Sequence, residues 1–191
     1  MSTYGTVRQT EQLTPALVRV VFDGDGLAEF APTEWTDQYV NARFLPDGSA
    51  FAPPFDLEQA MSLPREERPV GRRITIRAWD PAAGTVTMDF VVHGEAGHAG
   101  RWARHARPGD RLQFTGPSGG YRPDPAADTY LFAGDESALP AIGASLEQVP
   151  ARAPAFAVLV VDDAAGEVDL GGSADLHPTW LHRADARPGD P

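Results

Sequence analysis

A chain of 191 residues that is 42% hydrophobic and 9% aromatic can bury a sizeable core, so its composition excludes a disordered protein. The formal net charge of −11 argues against nucleic acid or an anionic membrane surface as the main partner. The lack of cysteine excludes disulfides, thiolate nucleophiles, Cys-ligated iron–sulfur clusters and cysteine zinc sites.

The first part of the chain is predicted to be β structure. Strands are expected in "VRQTEQLTPALVRVVFDGD", "DQYVNARF", "RRITIRAW", "TVTMDFVVHG" and "RLQFTG". The third and fourth of these flank the turn "DPAAG" and predict an antiparallel hairpin. Residues 51–70 predict a loop with at most one helical turn at Leu57–Met61, and "GRWARHA" predicts a short helix. Together they indicate an antiparallel barrel or sandwich.

The pattern changes after residue 128. "TYLFAG" predicts a strand, "DESALPAIGASLEQVP" a helix and "AFAVLVV" a buried strand, which is a β-α-β unit with parallel strands. We place the domain boundary so that residues 1–125 form the first domain and residues 126–191 the second. The end, "LHRADARPGDP", is polar and predicts no closing strand or helix, so the parallel sheet would be poorly covered. Either the chain is truncated or a partner completes it.

The location of the protein is predicted from its apolar runs. No stretch of about 18 uncharged apolar residues occurs, so no integral membrane association is expected. The N-terminal sequence "MSTYGTVRQTEQL" has no apolar signal-peptide region. We therefore expect a cytoplasmic protein.

Positive charge is concentrated in the middle of this acidic chain. Between Arg72 and Arg111 there are seven arginines and four acidic residues, a local balance of +3. Such an island indicates either a small anionic ligand or a solvated charged face. In "GRRITIRAW" the alternation places Ile74, Ile76 and Ala78 on one face and Arg73, Thr75 and Arg77 on the other.

Two glycine-containing loops lead into predicted helices. "HGEAGHAGRWA" places free N–H groups at a helix that starts near Ala99 or Gly100, which is either an anion site or only a turn. "LFAGDESALPAI" lies after a strand, where ligands of open α/β sheets bind. Helix capping is the better interpretation for the second loop, because Asp135 and Glu136 would repel a diphosphate.

The sequence supports neither a metal site nor a serine nucleophile. The five histidines have no zinc-ligand spacing, and no serine lies in a G-x-S-x-G motif, so we expect no metal site. The tryptophans Trp79, Trp102 and Trp180 are expected in cores or interfaces.

Taken together, six segments of the chain resemble the siderophore-interacting protein family, flavoproteins of the ferredoxin–NADP reductase superfamily. They are "LTPALVRVVFDG", "TDQYVNARF", "EERPVGRRITIRAWD", "MDFVVHGEAGHAGRWARHARPGDRLQFTGPSGGY", "TYLFAGDESALPAI" and "WLHR". The resemblance implies an antiparallel FAD-binding β-barrel followed by a partial Rossmann-like nicotinamide-binding α/β domain. It further implies NADPH- or NADH-dependent reduction of ferric siderophores, with release of Fe(II).

The resemblance also implies site residues. The family motif R-x-Y-[ST]-x-R maps onto Arg72, Ile74, Thr75 and Arg77. Arg72 would pair with the FAD diphosphate, Thr75 would reach the isoalloxazine edge, and Arg77 would add positive charge. The diphosphate and adenine side would be lined by His93, Gly94, Gly97, Ala99, Gly100 and Trp102. The start of the nicotinamide site would comprise Gly134, Asp135, Glu136, Ser137 and Ala138.

The sequence departs from the family pattern at two places. Ile74 replaces a tyrosine that stacks on the isoalloxazine, which would weaken FAD binding by about 0.5–1.5 kcal/mol. The remaining nicotinamide-site elements have no counterpart after Arg183. A non-catalytic flavin-binding or partner-binding module, or a barrel that has lost flavin, are therefore the alternatives. The family motif assigns the diphosphate contact to Arg72, whereas strand alternation places Arg73, not Arg72, on the same face as Thr75 and Arg77. A bulge in the strand would reconcile the two assignments.

Overall fold

Six antiparallel strands close into a barrel in the order β1-β2-β5-β4-β3-β6, which confirms the predicted antiparallel barrel. The computed structural model describes residues 3–94, 97–172 and 175–183. The barrel strands are β1 (Thr3–Thr14), β2 (Leu17–Asp23), β3 (Tyr39–Phe44), β4 (Val70–Asp80), β5 (Thr85–Val91) and β6 (Arg111–Ser118). The β4–β5 pair is antiparallel, which confirms the predicted hairpin.

Alternating apolar residues fill the barrel. On β2, Val18, Val20 and Phe22 are buried, while Arg19 points outward and bonds Asp89 of β5. A short helix α1 (Leu57–Met61) forms the one helical turn expected in the long connection from β3 to β4. Helix α2 (Ala99–His105) lies against β2 and β5.

A bulge in β4 corrects the predicted face assignment. The register with β5 shifts between Ile76 and Ala78. Ile74 and Ile76 are buried as predicted, but Ala78 is exposed and Trp79 packs on the core against Phe30 at a centroid distance of 5.1 Å. The extra residue at the bulge reverses the alternation of the strand, so that Ala78 faces solvent and Trp79 faces the core.

The second unit is a three-stranded parallel sheet in the order β7-β8-β9. Its elements are β7 (Tyr130–Asp135), α3 (Leu139–Leu146), β8 (Pro154–Val161) and β9 (Asp175–His182). The predicted boundary at residues 125 and 126 falls between β6 and β7 and stays a prediction.

The predicted start of the helix and the predicted lack of a strand at the C-terminal end of this unit were both wrong. The helix begins at Leu139 rather than Asp135, because Asp135 still pairs with Val160 in the sheet and Ala138 takes the N-cap position without a side-chain bond. The polar end was expected to hold no strand, yet β9 includes Leu181 and His182, which pair with Val160 and Val161. Residues 184–191 lie outside the described residues.

Only one face of the parallel sheet is covered by described residues. Helix α3 buries Leu139, Ile142 and Leu146 against one face. On the other face Leu131 is 72% exposed, Phe156 43% and Leu181 47%. The predicted poor coverage is therefore confirmed for the described part of the chain.

Candidate functional site

The residues of the predicted diphosphate site meet at one end of the barrel. Arg72 lies near the start of β4, and His93 and Gly94 follow the end of the antiparallel β5, so the two segments reach the same end. Helix α2 closes this end, since Trp102 contacts Phe44 at a centroid distance of 6.0 Å. Arg72 and the first glycine loop therefore lie at the same end of the barrel.

Arg72 is exposed, and its donors are largely unused. Its backbone pairs with that of the buried Ala42 on β3, which places its side chain on the inward-facing side of β4 at the barrel rim. Nη1 donates to the carbonyl of Gly71 at 2.8 Å, and no carboxylate pairs with Arg72 among the described residues. The guanidinium is free to bind an anion.

The loop after β5 has the backbone conformation of a tight turn. Gly94 and Gly97 adopt positive φ angles of 59° and 80°, which favour glycine. His98 occupies the N-cap of α2 without a side-chain bond to the first turn, which begins at Ala99. Among the described residues, no side chain caps the N–H groups at this helix start.

Gly100 and Trp102 have packing functions in this structure. A Cβ on Gly100 would lie 2.6 Å from the carbonyl oxygen of Val91, so glycine permits α2 to approach β5. Trp102 stacks near Phe22 and Phe90 with centroid distances of 6.1 and 5.8 Å. This confirms the expectation that the tryptophan belongs to a core.

A surface cavity of about 390 Å³ lies beside this helix. Its lining includes His98, Arg101 and Trp102. Arg101 is held by Asp47 through two bonds of 3.0 and 2.9 Å, so its charge is already balanced. Arg101 is therefore less suited than Arg72 to bind an anion at this end of the barrel.

The remaining motif residues are distributed over both sides of β4. Thr75 pairs with Tyr39 and faces outward, whereas Ile74 pairs with Val40 and is 8% exposed in the barrel core. Ile74 therefore offers little surface for a flavin ring. The register with β3 is regular from residue 70 to 75, so the bulge that would reconcile Arg72 with Arg73 is not there.

Arg77 belongs to the contact between the barrel and α3. Its Nη2 lies 2.6 Å from Oε1 of Glu147, and a Cβ on Gly143 would approach its Nε to 3.1 Å. A cavity of about 280 Å³ lies alongside, and its lining includes the Arg19–Asp89 pair. The hydrogen bond to Asp89 raises the pKa of Arg19, against the opposing effect of burial.

The second glycine loop forms a tight turn at the carboxyl edge of the parallel sheet. A Cβ on Gly134 would lie 2.4 Å from that of Ala138, so the turn requires glycine there. Asp135 accepts hydrogen bonds from the hydroxyl of Ser137 at 2.6 Å and from its N–H at 3.0 Å. These bonds lower the pKa of Asp135, with the hydroxyl bond as the main cause. Helix capping by Asp135 was thus wrong, because Asp135 stabilises the turn instead.

An ion network at the same edge was missed by sequence reasoning. Glu136 is 4% exposed and binds the guanidinium of Arg183 through both carboxylate oxygens. Arg183 also donates to Asp162 at 2.8 Å. Each of the three residues follows directly after a strand, but β9 was not predicted, so the sequence alone did not indicate that Arg183 lies at this edge. Arg183 neutralises Glu136, which removes part of the predicted repulsion of a diphosphate.

Metal-binding clusters and membrane-spanning helices are both absent from the described parts of the chain. Among residues 3–94, 97–172 and 175–183, no three histidine, aspartate or glutamate side chains come together as a group that could hold a metal ion. Within the same ranges no helix has the length and apolar character needed to cross a membrane.

Comparison with known proteins gives family matches over nearly the whole chain. A model described as "Siderophore-interacting FAD-binding domain" matches residues 6–121, and one described as "Siderophore-interacting protein" matches residues 127–191. A siderophore utilization protein from T. fusca has a TM-score of 0.82 and 34% identity, over 99% of this chain and 72% of that one.

Two curated relatives carry functional names. The chain is 34% identical over 170 residues to the ferric vibriobactin reductase ViuB of Vibrio cholerae, covering 87% of this chain and 61% of that protein. It is 31% identical over 180 residues to the NADPH-dependent ferric-chelate reductase of Escherichia coli, covering 92% and 69%. The chain thus spans roughly two thirds of the length of these relatives.

Proposed function

This chain belongs to the siderophore-interacting protein family, and we propose that it binds FAD and reduces ferric siderophores with NADPH or NADH as electron donor. The observation that carries the proposal is Arg72 at the barrel end. Its guanidinium has no carboxylate partner among the described residues and lies at the same end as the glycine loop and the uncapped start of α2. The guanidinium N–H groups of Arg72 and the backbone N–H groups at the start of α2 can both donate hydrogen bonds to a diphosphate.

The residues present fit the diphosphate of FAD better than its ring. Arg72 would bind the phosphates, and the loop of Gly94 and Gly97 would let the backbone approach them. Thr75 would donate its hydroxyl to the ring edge from the outer face of β4. Ile74 would contribute little, since it is packed in the core. When bound, FAD supplies the chemistry that accepts two electrons as a hydride and delivers them singly to two ferric ions.

The nicotinamide donor is proposed from the second glycine loop and from the relative of Escherichia coli. The turn from Gly134 to Ala138 lies at the carboxyl edge of a parallel sheet, where nucleotides bind in such folds. The E. coli relative is named as NADPH-dependent. Ferric siderophores are proposed as substrates because the Vibrio relative is named as a ferric vibriobactin reductase.

A visible absorption spectrum tests the flavin proposal first. Purified protein is incubated with FAD, excess FAD is removed, and flavin absorption is expected to remain with the protein. A folded protein that retains no flavin would overturn the proposal.

The reductase activity is tested on the loaded protein. Under anaerobic conditions, NADPH or NADH is expected to bleach the flavin absorption. Addition of a ferric siderophore should restore it and form Fe(II), which a colorimetric Fe(II) chelator measures. Retained flavin that neither nucleotide bleaches would reject the reductase function.

A second candidate is a flavin-binding module that does not use NAD(P)H. Its support is the exposed apolar face of the parallel sheet, with Leu131 72% exposed, because parallel sheets are normally covered on both faces. The nicotinamide half of the protein would then depend on a partner. The bleaching experiment separates the two candidates, since only the reductase is reduced by the free nucleotide.

A further inference from the structure

Arg77 is the extra residue of the bulge in β4. The register with β5 passes directly from Ile76 to Ala78, so Arg77 has no partner on that strand. Bulges of this kind re-aim a side chain relative to its neighbours in the strand. The side chain of Arg77 is only 15% exposed, because it lies against α3 of the second unit.

Helix α3 presents one stripe of residues to this arginine. Leu139, Gly143 and Glu147 are spaced four residues apart and therefore share one face of the helix. A Cβ on Gly143 would lie 3.1 Å from Nε and 3.3 Å from Nη2 of Arg77, so glycine gives the guanidinium room to lie across the helix. Nη2 then lies 2.6 Å from Oε1 of Glu147, at the C-cap of α3. The contact thus joins β4 to the far end of the helix.

The space beside this contact is incompletely packed. A cavity of about 280 Å³ lies there, and Leu13, Leu17 and Arg77 belong to its lining. Two further contacts join the barrel to the second unit, since Leu17 is buried in the core of that unit and the hydroxyl of Thr36 lies 2.8 Å from that of Ser145. Beside an open cavity, the ion pair of Arg77 restricts how far α3 can move.

The two sides of the contact continue into the two halves of the proposed reaction site. On β4, Arg77 follows Thr75, the residue expected at the ring edge, by about 6.6 Å along the strand. Helix α3 begins directly after the turn from Gly134 to Ala138, which is expected to hold the nicotinamide. Glu147 lies about 12 Å along the helix from its start, so a movement at Glu147 also displaces this turn. Hydride transfer requires the reacting atoms to lie about 3–3.5 Å apart, so small displacements matter.

We propose that Arg77 is a positioning residue: by lying over Gly143 and pairing with Glu147, it holds the turn from Gly134 to Ala138 at a fixed distance from the flavin-binding strand. The proposal rests on the proposed function and deepens it. It replaces the expected role of Arg77 as a cation for FAD, since its charge is already balanced by Glu147. The ion pair controls where the nicotinamide is presented to the flavin.

A distance measurement between the two units tests the proposal without any cofactor. The chain contains no cysteine, so spin labels attach only to cysteines that are introduced. Ala82→Cys, in the turn between β4 and β5, and Ala151→Cys, after α3, are both at exposed positions. Double electron–electron resonance on the FAD-free protein measures the distribution of distances between the two labels.

Loss of either partner of the ion pair should change this distribution. Arg77→Gln and Glu147→Gln, each in the doubly labelled protein, are expected to broaden it or to shift its maximum. Arg122→Gln is the matched control, because the pair of Arg122 with Glu34, also at 2.6 Å, lies within the barrel unit and is exposed on both sides. Distributions that stay as in wild type in both single variants would overturn the proposal.

Flavin affinity and the rate of flavin reduction separate positioning from flavin binding. Arg77→Gln should bind FAD within about twofold of wild type, but its limiting rate of reduction by saturating NADPH or NADH should fall about tenfold or more. Fluorescence titration measures the first quantity and anaerobic stopped-flow absorption the second. The double variant Arg77→Gln/Glu147→Gln should be reduced no more slowly than either single variant. An FAD affinity that falls about tenfold in Arg77→Gln, with unchanged label distances, would show that Arg77 serves the flavin and would overturn the proposal.

The outcomes distinguish this proposal from the proposed function. If wild-type protein retains no FAD, or if neither nucleotide reduces it, the proposed function fails, and the label distances in FAD-free protein still decide whether Arg77 fixes the turn. If wild-type protein is reduced and Arg77→Gln is reduced at the same rate, the positioning role is wrong and the proposed function stands. Thermal unfolding shows that each variant is folded, and midpoints close to wild type are expected because Glu147 is 50% exposed.

Discussion

Glu136 and Arg183 connect the carboxyl ends of β7 and β9 by a two-pronged ion pair across 47 positions of sequence. One prong, from Nη2 of Arg183 to Oε2 of Glu136, measures 2.8 Å. Glu136 is 4% exposed, so its charge depends on this partner. Because β7 and β9 both flank β8, the pair fixes the relative positions of the two outer strands at the edge where a nucleotide is expected.

Removal of the arginine is expected to destabilise the protein. Arg183→Gln leaves the buried carboxylate of Glu136 without its cation, which should lower the free energy of unfolding by about 1–3 kcal/mol. Urea unfolding followed by circular dichroism measures the change. Arg152→Gln is the control, because Arg152 is exposed in a turn. A double variant Glu136→Gln/Arg183→Gln should lose less than the sum of the single changes, and strict additivity would contradict the ion pair.

The turn after β7 predicts a pH effect. The pKa of Asp135 is lowered, mainly by the hydroxyl of Ser137, so the folded state binds its proton less readily than the unfolded state. Its contribution to stability is therefore complete above the unfolded pKa and is lost as pH falls through the folded pKa. Ser137→Ala should raise the pKa of Asp135 toward its ordinary value of about 3.9. Carboxyl NMR titration measures this, with Ser118→Ala as control, and an unchanged pKa would contradict the assignment.

Much of the barrel follows from local pattern. Val18, Val20 and Phe22 alternate with outward residues, and this alternation alone predicts strand and face. The bulge at Arg77 could not be predicted, because it depends on the register with β5, a property of two strands rather than one. The late start of α3 has a similar origin, since pairing with Val160 keeps Asp135 in the sheet.

The placement of the candidate site residues could be predicted where neighbouring segments of the chain supply them. Arg72 and the loop of Gly94 and Gly97 were identified by motif, and hairpin geometry brings them to one barrel end. The partner of Arg77 was not identified, because Glu147 meets it only when α3 packs against β4 and Gly143 leaves room for the guanidinium. The Glu136–Arg183 pair likewise requires the parallel order of three strands.

Replacement of Arg72 tests the diphosphate site. Arg72→Ala should weaken FAD binding by about 1.5–3 kcal/mol, the value of a hydrogen bond to a charged group. Fluorescence titration of FAD-free protein with FAD measures the affinity. Arg101→Ala serves as the matched control at the same barrel end, because Arg101 is already bound by Asp47. An Arg72→Ala variant that binds FAD as tightly as wild type would remove the main support for the flavin site.

Gly100→Ala tests whether the close packing of α2 on the barrel determines the geometry of the diphosphate site. The added methyl group would meet the Val91 carbonyl at 2.6 Å and the Val92 Cα at 3.0 Å, both of which are backbone atoms. Helix α2 must then move, at an expected cost of about 1–3 kcal/mol in the free energy of unfolding. FAD affinity should fall as well, since the start of α2 shifts away from Arg72. Gly120→Ala should alter neither quantity, because a Cβ there has no neighbour within 4 Å. A Gly100→Ala protein with wild-type stability would contradict the prediction, because α2 could then move without cost. FAD titration of that variant would measure how far a movement of α2 changes the affinity of the diphosphate site.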